Sequence, residues 1–345
     1  MKVNRAKVLT ALENASVAVT SNAILEQSNT FVFTDGLLIT FDGEMCTKQD
    51  SPFGIEIEGS IVCDDFLKIL QRFPDQDIDV TVKKGEMIIK GKHRSAGIKM
   101  MAEILLPYTD IPEPDKFYPL AEHVQEILVQ ASRVCGKDET APKTTHVYIA
   151  KDRIESTDSF RVFRADIETG VPESVLVHSL SIVNACKSKL KEIAMSEEGW
   201  VHFISENGMN ISLLCSADEY YEKKMIDDLL SVQGKKVFFP TNLAEILERA
   251  EIMDTPSLSI GGWDSQVTIT LSENMIKVTS KKEEGWFKES QRVKYSGPEM
   301  SFSIHPIFLK ELISRTRKVI ISENQIKVEV DNIHFTAALE SGSGE

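Results

Sequence analysis

The chain is short of paired cysteine. Its 345 residues hold only Cys46, Cys63, Cys135, Cys186 and Cys215, an odd number with no CxxC spacing. Such a set neither frames a disulfide scaffold nor builds a zinc cage, so separate buried thiols in a reducing, cytoplasmic compartment are expected. Long apolar runs are missing too. No stretch reaches the roughly 18 residues of a membrane span. Lys2 and Arg5 could open a signal peptide, but Glu13 and Asn14 interrupt the apolar run that would have to follow. Catalytic signatures are equally scarce. There is no GxxxxGK[ST], no HExxH, no GxSxG and no GxGxxG before a helix. The seven histidines stand singly, and His305, just before Pro306, reads as a helix cap. The acidic group Asp218, Glu219 and Glu222 runs straight into Lys223 and Lys224, which compete with any metal. A binding protein is expected, not an enzyme, with no cofactor and no metal.

What is present is repetition. At a period of roughly 115 residues the chain gives the same order three times: helix, strands, helix, strands. The opening helices are Asn4 to Val17, Ala121 to Val134 and Asn242 to Met253, the last with a capping-box pattern of Asn242 and Glu245. Strand-like runs follow: TFVF and LLITF, then HVYIA, RIEST and RVFRADI, then QVTITL, MIKVTS and QRVKYS. Their alternation and Asp-Gly or Glu-Asn turns predict hairpins. Second helices are expected at Asp64 to Phe73, Ser179 to Ile193 and Pro306 to Lys318. Each repeat closes on a β pair: DIDVTV with EMIIKG, WVHFIS with MNISLL, and KVIIS with QIKVEV. Pro107 to Pro119 and Asp227 to Lys236 read as separators. The expected fold is α+β, in three domains spanning residues 1–115, 116–233 and 234–340, each with two helices against antiparallel sheets. Residues 341–345, SGSGE, read as a flexible tail or cloning remnant.

The net charge of −14 argues against a protein that coats nucleic acid indiscriminately. Its distribution is uneven. Ser179 to Ile193 carries +2 and Pro306 to Lys318 carries +3, which leaves −19 for the remainder. In the second helices the apolar stripes are Phe66, Leu70 and Phe73; Ile182, Val183, Cys186 and Leu190; and Phe308, Leu309, Leu312 and Ile313. Basic residues fall on the other faces: Lys68 and Arg72; Lys187, Lys189 and Lys191; Lys310, Arg315, Arg317 and Lys318. One such helix alone would be ordinary solvation. Three in an acidic chain point to a phosphate-facing surface. No aromatic residues interleave, which speaks against single-strand stacking and for sequence-independent duplex contact.

Three ordered segments then resemble the bacterial sliding clamp, the beta subunit of the replicative DNA polymerase. They are FTDGLLITFDGE with EIEGSIVCDDFLKILQRFPDQDIDVTV; RIESTDSFRVFRADI; and RAEIM, ITLSENMIKVTS and VKYSGPEMSFSIHPIFLKELI. The resemblance covers residues 1 to about 339. It implies a head-to-tail homodimer whose six domains form a ring, with helices facing a hole for duplex DNA and sheets outside. It also implies an apolar groove that takes a short peptide from the replicative polymerase and the clamp loader. By matching position, Thr157, Ser159, Phe160, Arg161 and Val162 would line that groove; on spacing alone, Val162 and Phe163 are ordinary strand residues. The family commonly has Gly and His where this chain has Ser159 and Phe160. The ending AALESGSGE alters one wall, and the loop Ser16 to Leu25 lacks the family's arginine. These departures imply a divergent, phage- or plasmid-borne clamp with its own partner specificity. A clamp-derived scaffold that no longer encircles DNA is the alternative.

Overall fold

The computed structural model describes residues 1–20, 25–196, 198–253 and 265–341. The last four residues of the SGSGE tail, and residues 21–24 of the loop Ser16 to Leu25, lie outside this set. The helices, in chain order, are α1 (Arg5–Ala15), α2 (Cys63–Arg72), α3 (Val124–Ser132), α4 (Pro142–Thr145), α5 (Ser179–Ala185), α6 (Lys223–Leu230), α7 (Leu243–Glu251) and α8 (Pro306–Arg315). None is long and apolar enough to cross a membrane. Leaving out α4 and α6, the order helix, four strands, helix, three strands occurs three times. The chain divides into two compact units, Met1–Val129 with Gly170–Ala217, and Gln130–Thr169 with Asp218–Glu345.

The first unit holds two antiparallel sheets. One has the order Lys2–Asn4, Asp77–Lys83, Glu86–Lys90, Ser95–Lys99. The other runs Gly59–Val62, Thr30–Thr34, Leu37–Phe41, Met45–Asp50, Asn210–Leu214, Trp200–Ser205, Leu190–Ser196, Tyr118–Pro119. Asp35 and Gly36 (φ 50° and 76°) join the second and third of these strands, the pair of positive φ values a type I′ hairpin needs. Val8 and Leu12 of α1 and Phe66 and Leu70 of α2 close on Phe31, Phe33, Leu38 and Phe53. Phe31 meets Phe66 edge-on at 6.3 Å, and Phe33 meets Phe53 at 5.3 Å. Each of these side chains contributes about 1.5–3 kcal/mol by leaving water.

The second unit contains an ordered run of strands: His146–Ala150, Arg153–Thr157, Arg161–Asp166, Ile333–Ala338, Gln325–Val330, Lys318–Ile321, Lys235–Phe238. A further sheet runs Gly285–Arg292, Met275–Lys282, Val267–Ser272, Met300–Ile304, Glu340–Ser341.

One hydrogen bond recurs in all three repeats. Thr40 Oγ1 donates to the carbonyl of Ala15, Ser156 Oγ to Ala131 and Ser280 Oγ to Ala250, each at 2.7 Å and each buried. The acceptor is in the last turn of the repeat's first helix, where carbonyls lack intrahelical partners. The donor is on the second strand. The hydroxyl therefore ties helix end to sheet, adding a second donor to carbonyls that, at Ala131 and Ala250, also accept from the backbone N–H of Val134 and Met253.

Several expectations are corrected. The helix expected to run from Ser179 to Ile193 ends at Ala185, and Leu190–Ser196 is a strand paired with Trp200–Ser205. Gln125 enforces the break: its Nε2 donates to the carbonyls of Cys186 and Ser188, and its Oε1 accepts from Leu190 N, all at 2.9 Å. Val183 is accordingly exposed, not part of a buried stripe. QRVKYS is not the third strand of its repeat; Gly285–Arg292 is, in register with Met275–Lys282. The separator Asp227 to Lys236 contains the end of α6 and the start of Lys235–Phe238. Asn242 makes no capping bond, because its near-helical backbone (φ −94°, ψ 13°) departs from the extended cap geometry. Asn4, which is extended, does cap α1 through Lys7 N at 3.2 Å. Arg317 and Lys318 lie beyond the end of α8. His305 does cap α8, accepting from Ile307 N at 3.2 Å.

The thiols are buried or half-buried, and burial pushes those of Cys46, Cys186 and Cys215 up to about 12. His202 is 1 % exposed between Ser212 and Ser196 (2.8 and 3.1 Å); burial, with Lys48 nearby, lowers its pKa to about 4. A depressed folded pKa gives stability that is complete above the unfolded value, near 6.5, and is lost as pH falls toward 4. We predict that urea denaturation shows the wild type losing up to about 3 kcal/mol over that window. His202→Gln should flatten the slope between pH 6.5 and 5; an unchanged slope would assign the loss to other groups.

Candidate functional site

The site is built by strand alternation. Arg161–Asp166 pairs on one side with Arg153–Thr157 and on the other with Ile333–Ala338. Side chains two apart share a face, so Val162 and Arg164 point the same way. Thr336 and His334 of the next strand stand opposite them, and the strand after adds Lys327 opposite Thr336 and Gln325 opposite Ala338. The face is thus uncharged toward Val162, Gln325 and Ala338 and charged toward Arg164, Lys327 and His334. Helix α6 lies across it, with Ile226 and Leu230 packed on Val162.

On one flank of α6 is a pocket of about 170 Å³. Thr157, Ser159, Phe160 and Val162 line it from one side, Tyr221, Met225, Ile226 and Leu229 from α6 and its lead-in, and Gln325, Thr336 and Ala338 from the sheet. On the other flank a polar cavity of about 160 Å³ is lined by Arg164, Asp227, Leu230, Ser231, Lys327 and His334.

The turn that presents Ser159 and Phe160 is locked by its own side chains. Asp158 Oδ1 accepts from Phe160 N (3.0 Å) and Arg161 N (2.7 Å). Thr157 Oγ1 accepts from Ser159 N (3.1 Å) and donates to the carbonyl of Arg161 (2.6 Å). Arg161 is the exception among the five expected groove residues. It does not line the pocket. Its Nε donates to Asp158 Oδ2 at 2.8 Å, its Nη1 to Glu311 Oε2 at 2.5 Å, and it sits 4.2 Å from the centre of the Phe308 ring. As the neighbour of Val162 on an alternating strand, it must face the opposite side.

Sequence reasoning missed α6 altogether, because YYEKKMIDDLL carries more charge than a wall of an apolar pocket would suggest. The signal was available: Ile226, Leu229 and Leu230 fall at helical spacing.

The basic residues are placed more diversely than their helical spacing implied. Lys68 and Arg72 are exposed on α2, with Lys68 paired to Asp64 at 2.8 Å. The exposed Lys187 follows α5 and donates to Asn184 Oδ1 at 2.7 Å. Lys189 precedes a strand and Lys191 lies on it, and both approach Glu206, at 3.2 and 3.6 Å; their charges hold that carboxyl below its usual range. Lys310 is paired with Glu251 at 2.7 Å. Arg315 lies 5.1 and 5.3 Å from the ring centres of Phe163 and Phe335 and donates to Gln130; burial lowers its pKa. Arg317 lies over Phe238 at 4.5 Å, and Lys318 is exposed on a strand. The expected exposed face of α8 is therefore largely absorbed by the protein itself. Among the described residues, no group of three or more His, Cys, Asp and Glu side chains is placed to hold a metal ion.

No protein-family model and no curated protein matches the chain. Solved structures do. The beta subunit from the DNA polymerase of Streptococcus pyogenes matches with a TM-score of 0.81 at 17 % identity, covering 99 % of both chains. The Pseudomonas aeruginosa sliding clamp (DNA polymerase III subunit beta) bound to griselimycin matches at 0.80 and 14 %, and the Bacillus subtilis DNA polymerase sliding clamp at 0.79 and 15 %, each covering 98 % of both chains. The chain thus has the fold of the bacterial sliding clamps. At such identities it is a strongly diverged sequence on that fold.

Ser159 holds φ +75°, in the left-handed region that favours glycine. Ser159→Gly is expected to stabilise the protein by up to about 1 kcal/mol in urea denaturation. A loss of stability would show that the hydroxyl, not the backbone, matters there.

Proposed function

We propose that this protein is a DNA polymerase processivity factor. In this reading it is a clamp of three domains (residues 1–115, 116–233 and 234–340) that closes head to tail with a second copy, encircles duplex DNA and tethers polymerase and clamp loader. The observation that carries the reading is the end-to-end likeness to clamp structures, 98–99 % of the chain at TM-scores near 0.8. The edges support it. Ser95–Lys99 ends one sheet and Gly285–Arg292 ends another, each with one side unpaired among the described residues. Exposed sheet edges invite strand pairing.

DNA contact is assigned to phosphates, through Lys68, Arg72, Lys187, Lys189, Lys191, Lys310, Arg315, Arg317 and Lys318. The exposed members of this set are the principal carriers. Such contact is sequence-independent and salt-sensitive. The absorption of Lys310, Arg315 and Arg317 into internal contacts favours one second reading, a scaffold that has left DNA. The pocket beside α6 is assigned to the partner peptide, with Thr157, Ser159, Phe160 and Val162 as lining and Arg161 as the residue that braces the turn.

Two expected outcomes test this. Light scattering should give twice 38.6 kDa, and the protein loaded by its clamp loader should be retained on nicked circular duplex but lost after linearisation. A dimer that is never retained on the circle would move the assignment to the scaffold, and a monomer would remove the ring. In calorimetry, Phe160→Ala should weaken binding of griselimycin, the ligand of the P. aeruginosa protein, by about 1–2 kcal/mol. Equal affinity in the two proteins would take Phe160 out of the site.

A further inference from the structure

Helix α6 forms one wall of the pocket, yet its apolar seating is slight. Ile226 and Leu230 are its buried side chains, and eight residues are too few for a helix to be stable by itself in water. Its orientation therefore depends on what grips it from the other flank.

That grip is ionic and rigid. Asp227 accepts from Arg164 Nη1 at 2.5 Å. Arg164 is 8 % exposed, and its Nε donates to Glu155 Oε1, also at 2.5 Å. Glu155 is fully buried, and the same oxygen takes Arg153 Nε at 3.0 Å. The guanidinium is thus held from behind before Asp227 reaches it. At the end of the helix the Lys327 ammonium donates to the carbonyl of Leu230 and pairs with Glu329 at 2.5 Å. At its start Lys223 approaches Asp152 (3.8 Å), and Tyr220 stacks on Tyr148 with ring centres 4.6 Å apart. His334, between Asp166 and Glu329, completes the charged surroundings.

We propose that Asp227 is a positioning residue for the pocket. Its ion pair with Arg164 sets the rotation of α6 that turns Met225, Ile226 and Leu229 toward a bound partner. The inference rests on the reading of that pocket as a partner site. Asp227 is not itself among the residues that line the pocket. It acts through α6, whose Met225, Ile226 and Leu229 do line it.

Asp227 is half exposed, so replacing it leaves no unpaired acid in the core. The test is hydrogen exchange of the amides of residues 223–230 together with griselimycin titration. Asp227→Asn should speed exchange in α6 at least tenfold, with the strand Arg161–Asp166 unchanged, and weaken griselimycin about tenfold. Asp227→Glu, which keeps the charge, should recover most of both. Unchanged exchange in Asp227→Asn overturns the proposal, and so does faster exchange with unchanged affinity or failure of Asp227→Glu to recover either. Wild-type protein that does not bind griselimycin counts against the partner-site reading instead, and the latch is then decided by exchange alone.

Discussion

A buried hydroxyl under a helix end is the bond on which each repeat turns. A helix packed on a sheet brings its last carbonyls into a region without water. Thr40, Ser156 and Ser280 resolve this in the same way, by donating from the second strand to Ala15, Ala131 and Ala250. Replacing such a hydroxyl by a methyl group would remove the tie between helix end and strand, at a cost of about 0.5–1.5 kcal/mol. The alanines matter as well, since a small side chain in the last turn lets the helix end come close to the strand. The helix, once fixed, positions the apolar stripes that make the cores.

The same economy of elements produces the site. One strand, Arg161–Asp166, gives its even residues to α6 and its odd residues to the opposite side, where Phe163 and Arg315 meet. The turn before it is closed by Thr157 and Asp158, so the pocket rim is set by local bonds and the floor by the sheet. The α6 wall depends on long-range charge, as does the brace that Arg161 and Glu311 set behind the turn.

Much of the fold was legible. Asp35-Gly36 and Asn274 announce hairpins because Asp, Gly and Asn accept positive φ more readily than other residues, and all three adopt it. The three β pairs expected at the repeat ends are hairpins, but each belongs to a run of three strands, and Ser95–Lys99 and Ile333–Ala338 follow the pair in the first and third repeats. What failed did so for tertiary reasons. SLSIVNACKSKLKEI has a plausible helical stripe, but Gln125, some sixty residues away, captures the carbonyls at the break. The basic residues of α8 look solvent-facing at helical spacing, yet Glu251, Phe163, Phe335 and Gln130 lie on elements that no local pattern connects to them. Of the five residues expected at a groove, Thr157, Ser159, Phe160 and Val162 line the pocket beside α6. The direction of Arg161 follows from its alternation with Val162, whereas its partner Glu311, on α8, is connected to it by no local pattern.

The alternation beneath α6 also shapes how this chain can change over generations. Residues 162, 325 and 336 border the pocket, whereas 164, 327 and 334 border the charged cavity, and no residue of the sheet serves both. Point substitutions at Gln325 and Thr336 change the lining of the pocket and leave the charged grip on α6 in place, whereas Val162 also seats Ile226 and Leu230. A single-residue insertion in any of these strands has the opposite effect. It would carry every later side chain of that strand to the far face and scramble pocket and grip together. Lineages of this protein should therefore tolerate exchange at the pocket positions far more readily than any change in the length of those strands.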